Sequence, residues 1–342
     1  MFVSANSTPF LAEGFTSIDK DALKSFVVVV RATYDVDADG QCTVSEVQSP
    51  FVHADAHHGD PETTSVRAES DFVPIKPRAD VLLDAVAMPP RGAAAGSLEV
   101  ALLGPALDKR AIVTGERHWE RGAFGLRASD PAPFRALPLA WHLAFGGTDR
   151  SFAEPADFRS DARNPVGRGF QVNERAEAIE GRPLPSIEHP GSRMTRWNDR
   201  LEPIGFGPVP RFAPERARHA GTYDAHWMAE VLPFLPSDFD DRYFQAAPAD
   251  QQCDSLAEGT AFACLHMNDA GVFRVRLPAL SVPVSFVFDD RVRVPTVTPD
   301  TLILQPHLGR IVLLGRARAP LPRKFTRLRE VRVGPFGAAG TA

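Results

Sequence analysis

Residues 26–36 are dominated by valine and run without a break into Asp37-Ala38-Asp39-Gly40, after which a second extended stretch covers 41–48. β-Branched runs suit a pleated backbone, and Gly40 supplies the positive φ of a tight turn without a Cβ clash, so the chain reads as opening on a β-hairpin. Strand patterns recur at 79–87, at 97–103, where Leu98, Val100 and Leu102 alternate, and at 110–118. The first 145 residues are predicted to be predominantly β. After residue 257 the pattern returns at 259–266, with a turn at Asn268-Asp269-Ala270-Gly271 and a partner at 272–277 carrying Phe273, Val275 and Leu277 on one face. Val282, Val284, Phe286 and Phe288 keep strict period two, and 301–305 and 310–315 flank a turn at Pro306-His307-Leu308-Gly309.

Between these regions, periodicity fades, and seven prolines fall within 183–214. So long an irregular stretch inside a compact domain is either functional or wraps another part of the structure. Phe152, Phe158, Phe170, Trp197, Trp227 and Tyr243 argue against a solvated linker, because disordered segments are poor in aromatics. The reading is a mainly β fold: two β-sheet regions, sandwich-like, joined by a loop-rich central layer with few short helices, one of them near 225–232. A single domain is expected over 1–322, with an N-terminal β region at 18–147, a loop-rich centre at 148–257 and a C-terminal β region at 258–322. Residues 323–342 read as a basic and then flexible tail.

Proline and glycine, 31 and 25 of 342 residues, make up about a sixth of the chain, which implies many turns but falls short of a disordered composition. The formal charge is -5 and the pI about 6.1, so no global positive field favours nucleic acid or anionic lipid. Cys42, Cys253 and Cys264 are odd in number and widely spaced, which suggests neither a disulfide framework nor a cysteine zinc site. The first 15 residues lack a basic n-region and carry Glu13, and no apolar run approaches bilayer length. A cytoplasmic protein without a membrane span is expected.

No phosphate-binding glycine loop, nucleophile elbow or paired-histidine zinc motif occurs. His53, Asp55, His57 and His58 offer imidazole and carboxylate donors within six residues, but in no standard ligand order and without a second cluster to complete a shell. A polar loop without metal is expected there. Asp238, Asp240 and Asp241 bring three carboxylates together; Asp238 and Asp240 with Glu188 form the best available basis for a hydrolase, although carboxylates at turns more often accept backbone N–H bonds. No nucleophile, cofactor or metal site is assigned.

The punctuating motifs, read in order, begin with Ser70-Asp71-Phe72, Lys76-Pro77, Asp80-Val81, Gly115-Glu116-Arg117 and Trp119, then Ala144-Phe145-Gly146-Gly147. They continue through Asn164-Pro165-Val166-Gly167-Arg168-Gly169-Phe170, Ile187-Glu188, Gly205-Phe206-Gly207-Pro208, Gly221-Thr222-Tyr223-Asp224, Trp227, Asp238-Phe239-Asp240 and Ala247-Pro248 with Asp250-Gln251. In this order they resemble the domain-of-unknown-function 2169 family (DUF2169) found beside bacterial type VI secretion genes. One departure is Asp84, where a glycine is expected. The resemblance implies an adaptor or chaperone, not an enzyme, that binds a type VI effector, sometimes with a PAAR-type domain, and helps load it onto the VgrG spike protein. It implies that Lys76, Asp80, Trp119, Gly146, Gly147, Asn164, Gly167, Gly169, Gly205, Gly207, Tyr223, Asp224, Asp238 and Asp240 are structural.

Aromatic anchors, exposed backbone and local charge would equally suit a carbohydrate-binding or carbohydrate-active β protein, which stands as the alternative. The stretch 310–332 carries eight basic residues against Glu330 alone. It reads either as a charged edge strand that blocks sheet-to-sheet pairing or as a docking face for an acidic partner built from Arg310, Arg316, Arg318, Arg323 and Arg327. In either case Ile311 and Leu313 would face the core while Arg310, Arg316 and Arg318 stay in water.

Overall fold

Residues 25–34 are all buried, which explains why Phe26 to Val30 are apolar without alternation: a strand covered on both faces has no polar side to present. The computed structural model describes residues 3–123, 125–321 and 327–335, and strands account for most of its regular structure, as expected. The larger sheet curls into a half-barrel. Its path runs Ala5–Asn6, Leu328–Val333, Val282–Phe288, Thr296–Gln305, Arg310–Pro320, Lys24–Val36 and Leu11–Ile18. Ala79–Leu83 lies parallel to Thr296–Gln305, and Cys42–Val44 folds back on Lys24–Val36 as the predicted hairpin.

A second sheet has the order Ile187–Glu188, Leu107–Thr114, Ser97–Gly104, Ala261–Leu265 and Val272–Arg276. The half-barrel turns Phe26, Val28, Val30, Ala32 and Tyr34 inward, into one core with Val100, Leu102, Val113, Phe262 and Phe273 of this sheet. Its outer face carries Val29, Val312 and Leu314 under Phe51, with Phe72 packed beside them. Each such valine or leucine taken from water contributes about 1.5–3 kcal/mol, so the shared core dominates the packing.

Both sheets combine strands from the two ends of the chain. Arg310–Pro320 is hydrogen-bonded to Thr296–Gln305 on one side and to Lys24–Val36 on the other, so it is an interior strand and not the edge expected from its charges. Of the tail expected from residue 323, residues 323–326 and 336–342 lie outside the described residues, and the part between them is corrected. Leu328–Val333 pairs with Val282–Phe288 and Ala5–Asn6, and its Leu328, Val331 and Val333 enter the core.

The centre of the chain packs as loops with short helices at Ala176–Ile179 and Pro214–Ala217 and a helical turn at Trp227–Val231, the last within the predicted stretch. Trp119, Phe145, Ile179, Leu184, Met194 and Leu201 form a second core beneath these loops. Gly205 is required for close approach: a Cβ there would sit 2.4 Å from the Trp141 ring. Buried Gln251 donates from Nε2 to the carbonyls of Val81 (2.7 Å) and Phe206 (2.9 Å), so it replaces ladder bonds that the loop backbone cannot make.

Candidate functional site

The motif residues of the centre build its backbone. Asn164 donates from Nδ2 to the carbonyls of Trp141 (2.8 Å) and Phe145 (2.9 Å), while its own carbonyl accepts from Gly147 and Gly167. Gly146 has φ 138° and pairs with Gly169; a side chain at Gly146 would strike the Asn164 carbonyl. The carbonyl of Gly207 accepts from Trp141 Nε1 at 3.0 Å. Trp119 is buried in the second core. Asp80 is fully buried at the end of a polar chain: Lys76 Nζ and Gln245 Nε2 reach its two oxygens, and Ala246 N–H adds a third bond. Asp84, at the unexpected position, is bonded to Arg67 and Gln305. Burial would raise its carboxyl, but these partners hold it below the ordinary range.

The candidate hydrolase carboxylates do not converge. Glu188 is buried elsewhere, with Arg117 Nη2 at 2.7 Å and Met194 N at 2.7 Å. Asp238 and Asp240 line one groove of about 450 Å³, beside Asp19, Asp21, Asp241 and Phe244. Asp238 accepts from the backbone N–H (2.9 Å) and hydroxyl (2.7 Å) of Thr222, which hold its carboxyl below the usual carboxylate range. Asp240 caps a helical turn and binds Arg242 through both its backbone N–H and its guanidinium, which hold the carboxyl down to about 2. General-acid chemistry needs the opposite shift, toward neutrality.

The four residues of the histidine cluster also part. His53 Nε2 lies 3.1 Å from Glu13 and stacks on Phe72; Asp55 accepts from Ser70 N–H; His57 Nδ1 meets the Thr64 carbonyl; and His58 packs against His142. Among the described residues, no three His, Cys, Asp or Glu side chains are grouped to hold a metal ion.

The arginines set aside for docking have different environments. Arg316 is a correction: its side chain is 6% exposed, not wet. It donates to the carbonyls of Val73 (2.7 Å) and Asp71 (2.8 Å) and pairs with Asp300, because an interior strand beneath the loop at 71–73 leaves its side chain no route to solvent. Arg310 is half-buried and lies 3.3 Å from Asp35. Arg318 and Arg327 are exposed, and Arg323 lies outside the described residues.

What the sequence did not single out is an exposed arm. Thr222 and Asp238 tie its base, Asp224 accepts from Trp227 N–H at 2.8 Å, and Trp227 packs edge-on against Tyr223. Tyr223 is 52% exposed, Met228 67% and Leu232 57%, with Phe234 beside them. Composition alone conceals this, since aromatic density in the centre reads as burial. At the arm's base, Leu235, Ile18 and Phe239 continue into the acidic groove.

The fold and this surface define a mainly β protein whose motif charges are bonded within the chain and which exposes four large apolar side chains, Tyr223, Met228, Leu232 and Phe234, within one short segment, beside scattered ones such as Val47, Phe212 and Val292. A family model described as an uncharacterized protein conserved in bacteria (DUF2169) matches residues 21–316, and the chain belongs to that family. No curated protein and no solved structure matches it. Among the described residues, no helix is long and apolar enough to cross a membrane.

Proposed function

We propose that the protein is a non-enzymatic adaptor, or chaperone, that binds a type VI secretion effector in the cytoplasm and helps load it onto the VgrG and PAAR-type spike. The observation that supports this most is the arm: Tyr223, Met228, Leu232 and Phe234 remain exposed on a segment shaped by the bonds of Asp224 and Trp227. Clustered exposed aromatics and methionine are the residue types that anchor protein interfaces, and a monomer gains nothing by leaving them in water. Of the carboxylates in the hydrolase alternative, Asp238 and Asp240 are, by contrast, held by Thr222 and Arg242.

The test is co-expression with the neighbouring effector and spike protein, followed by affinity capture. The wild-type chain is expected to retain the effector, and Met228→Asp with Leu232→Asp to lose it while the protein stays folded. Failure of the wild type to retain effector or spike, together with glycan turnover abolished in Asp240→Asn, would overturn the adaptor reading in favour of the hydrolase.

A further inference from the structure

The arm and the groove at its base form one continuous surface with a definite sign of charge. Asp19, Asp21, Asp238, Asp240 and Asp241 line the groove against Lys20 and Arg318, and with Asp240 paired to Arg242 the acids still outnumber the bases. Asp224 and Glu230 add negative charge on the arm itself, which carries no lysine or arginine between Thr222 and Leu235. Lys20 is partly spent within the chain, with Nζ 3.4 Å from the Phe239 carbonyl. The carboxylates of Asp21 and Asp241 make no hydrogen bond among the described residues, so their charge is available to a partner. Apolar side chains accompany the acids throughout: Tyr223, Met228, Leu232 and Phe234 on the arm, and Ile18 and Leu235 at the groove.

We infer that this surface takes a positively charged, amphipathic segment of the partner protein, whose apolar face seats on the arm and whose lysines or arginines meet the groove. The sign is opposite to that implied by the arginine-rich stretch, because Arg316 and Arg310 are paired inside the chain. Two features carry it together. The apolar arm supplies contact area, and the acids beside it reject an anionic segment by like-charge repulsion. The inference rests on the adaptor reading and names the chemistry of the bound segment.

The experiment uses two labelled synthetic peptides about four helical turns long, one of Lys and Leu and one of Glu and Leu in the same apolar pattern, titrated against the full chain by fluorescence anisotropy. The wild type is expected to bind the cationic peptide about tenfold or more tightly than the anionic one at low salt, with the difference shrinking as salt screens it. Asp21→Lys with Asp241→Lys should abolish that preference. Met228→Asp with Leu232→Asp should weaken the cationic peptide, and Asp130→Lys with Glu258→Lys, two exposed acids outside the surface, should leave it unchanged. Equal binding of both peptides, preference for the anionic one, or an equal loss in the outside variant would overturn the inference. Retention of the effector by wild type alongside any of those results would overturn the charge assignment alone, whereas loss of effector capture would fell the adaptor reading itself.

Discussion

The indole N–H of Trp227 donates to the carbonyl of Phe234 at 2.9 Å and fastens the two ends of the exposed arm's turn to each other. The two lie seven positions apart, and Met228 and Leu232 in the turn between them are exposed. Backbone bonds from Leu232 to Trp227 and from Phe234 to Val231 complete the turn, which lies outside both cores, so the arm can be loosened without disturbing either sheet.

Trp227→Phe keeps the ring that packs against Tyr223 but removes the donor. A single solvent-accessible hydrogen bond contributes about 1 kcal/mol, and the arm lies outside both cores, so global stability measured by urea denaturation should change by about that or less. Effector capture should fall clearly, because the apolar residues lose their fixed arrangement. A variant that captures the effector as the wild type does would show that the arm need not be ordered beforehand.

Arg316 and Arg318 sit two residues apart on one strand and should behave in opposite ways. Arg316→Met strips a buried partner from Asp300 and leaves the Val73 and Asp71 carbonyls without their donor. Breaking a buried pair from one side typically costs about 3–5 kcal/mol, so a loss of about that size is expected in urea. Arg318→Glu, on the exposed face, should fall within about 0.5 kcal/mol of wild type. Equal, small effects would mean that Arg316 is free to leave its site.

His142 supplies a pH dependence with a definite sign. Burial, aided by the neighbouring His58 and Arg168, pushes its imidazole down to about 4, while its Nδ1 lies 3.0 Å from Ser65 Oγ and accepts from Ser65 N–H. The unfolded chain binds this proton near the ordinary histidine value of about 6.5. The contribution is therefore fully present above about 6.5 and is lost as pH falls from there toward about 4, since the unfolded state takes up the proton first. His142→Asn, whose side-chain oxygen can accept in place of Nδ1, should flatten the stability profile across that window. The comparison is of thermal midpoints at several pH values, and an unchanged slope would show that other groups govern acid sensitivity.

The family assignment and most strands were legible along the chain because they depend on local order: period two in Val282 to Phe288, a glycine turn after Val36, and motifs such as Asn164 to Gly169 whose residues meet within a few positions. The β-branched run from Phe26 to Val36 marked a strand that opens a hairpin. Which strands would cover it was decided only in three dimensions. Pairing joins residues hundreds of positions apart, and the same charged sequence at 310–320 would be wet on an edge strand yet is partly buried on an interior one. The candidate site divides in the same way. Asp238 and Asp240 could be named from the sequence, but whether a carboxylate is bonded or free, and whether an aromatic is core or surface, depends on what packs against it. Local preference therefore determined the elements, while non-local burial and pairing decided the large sheet's order, the fate of each arginine and the exposure of the arm from Tyr223 to Phe234.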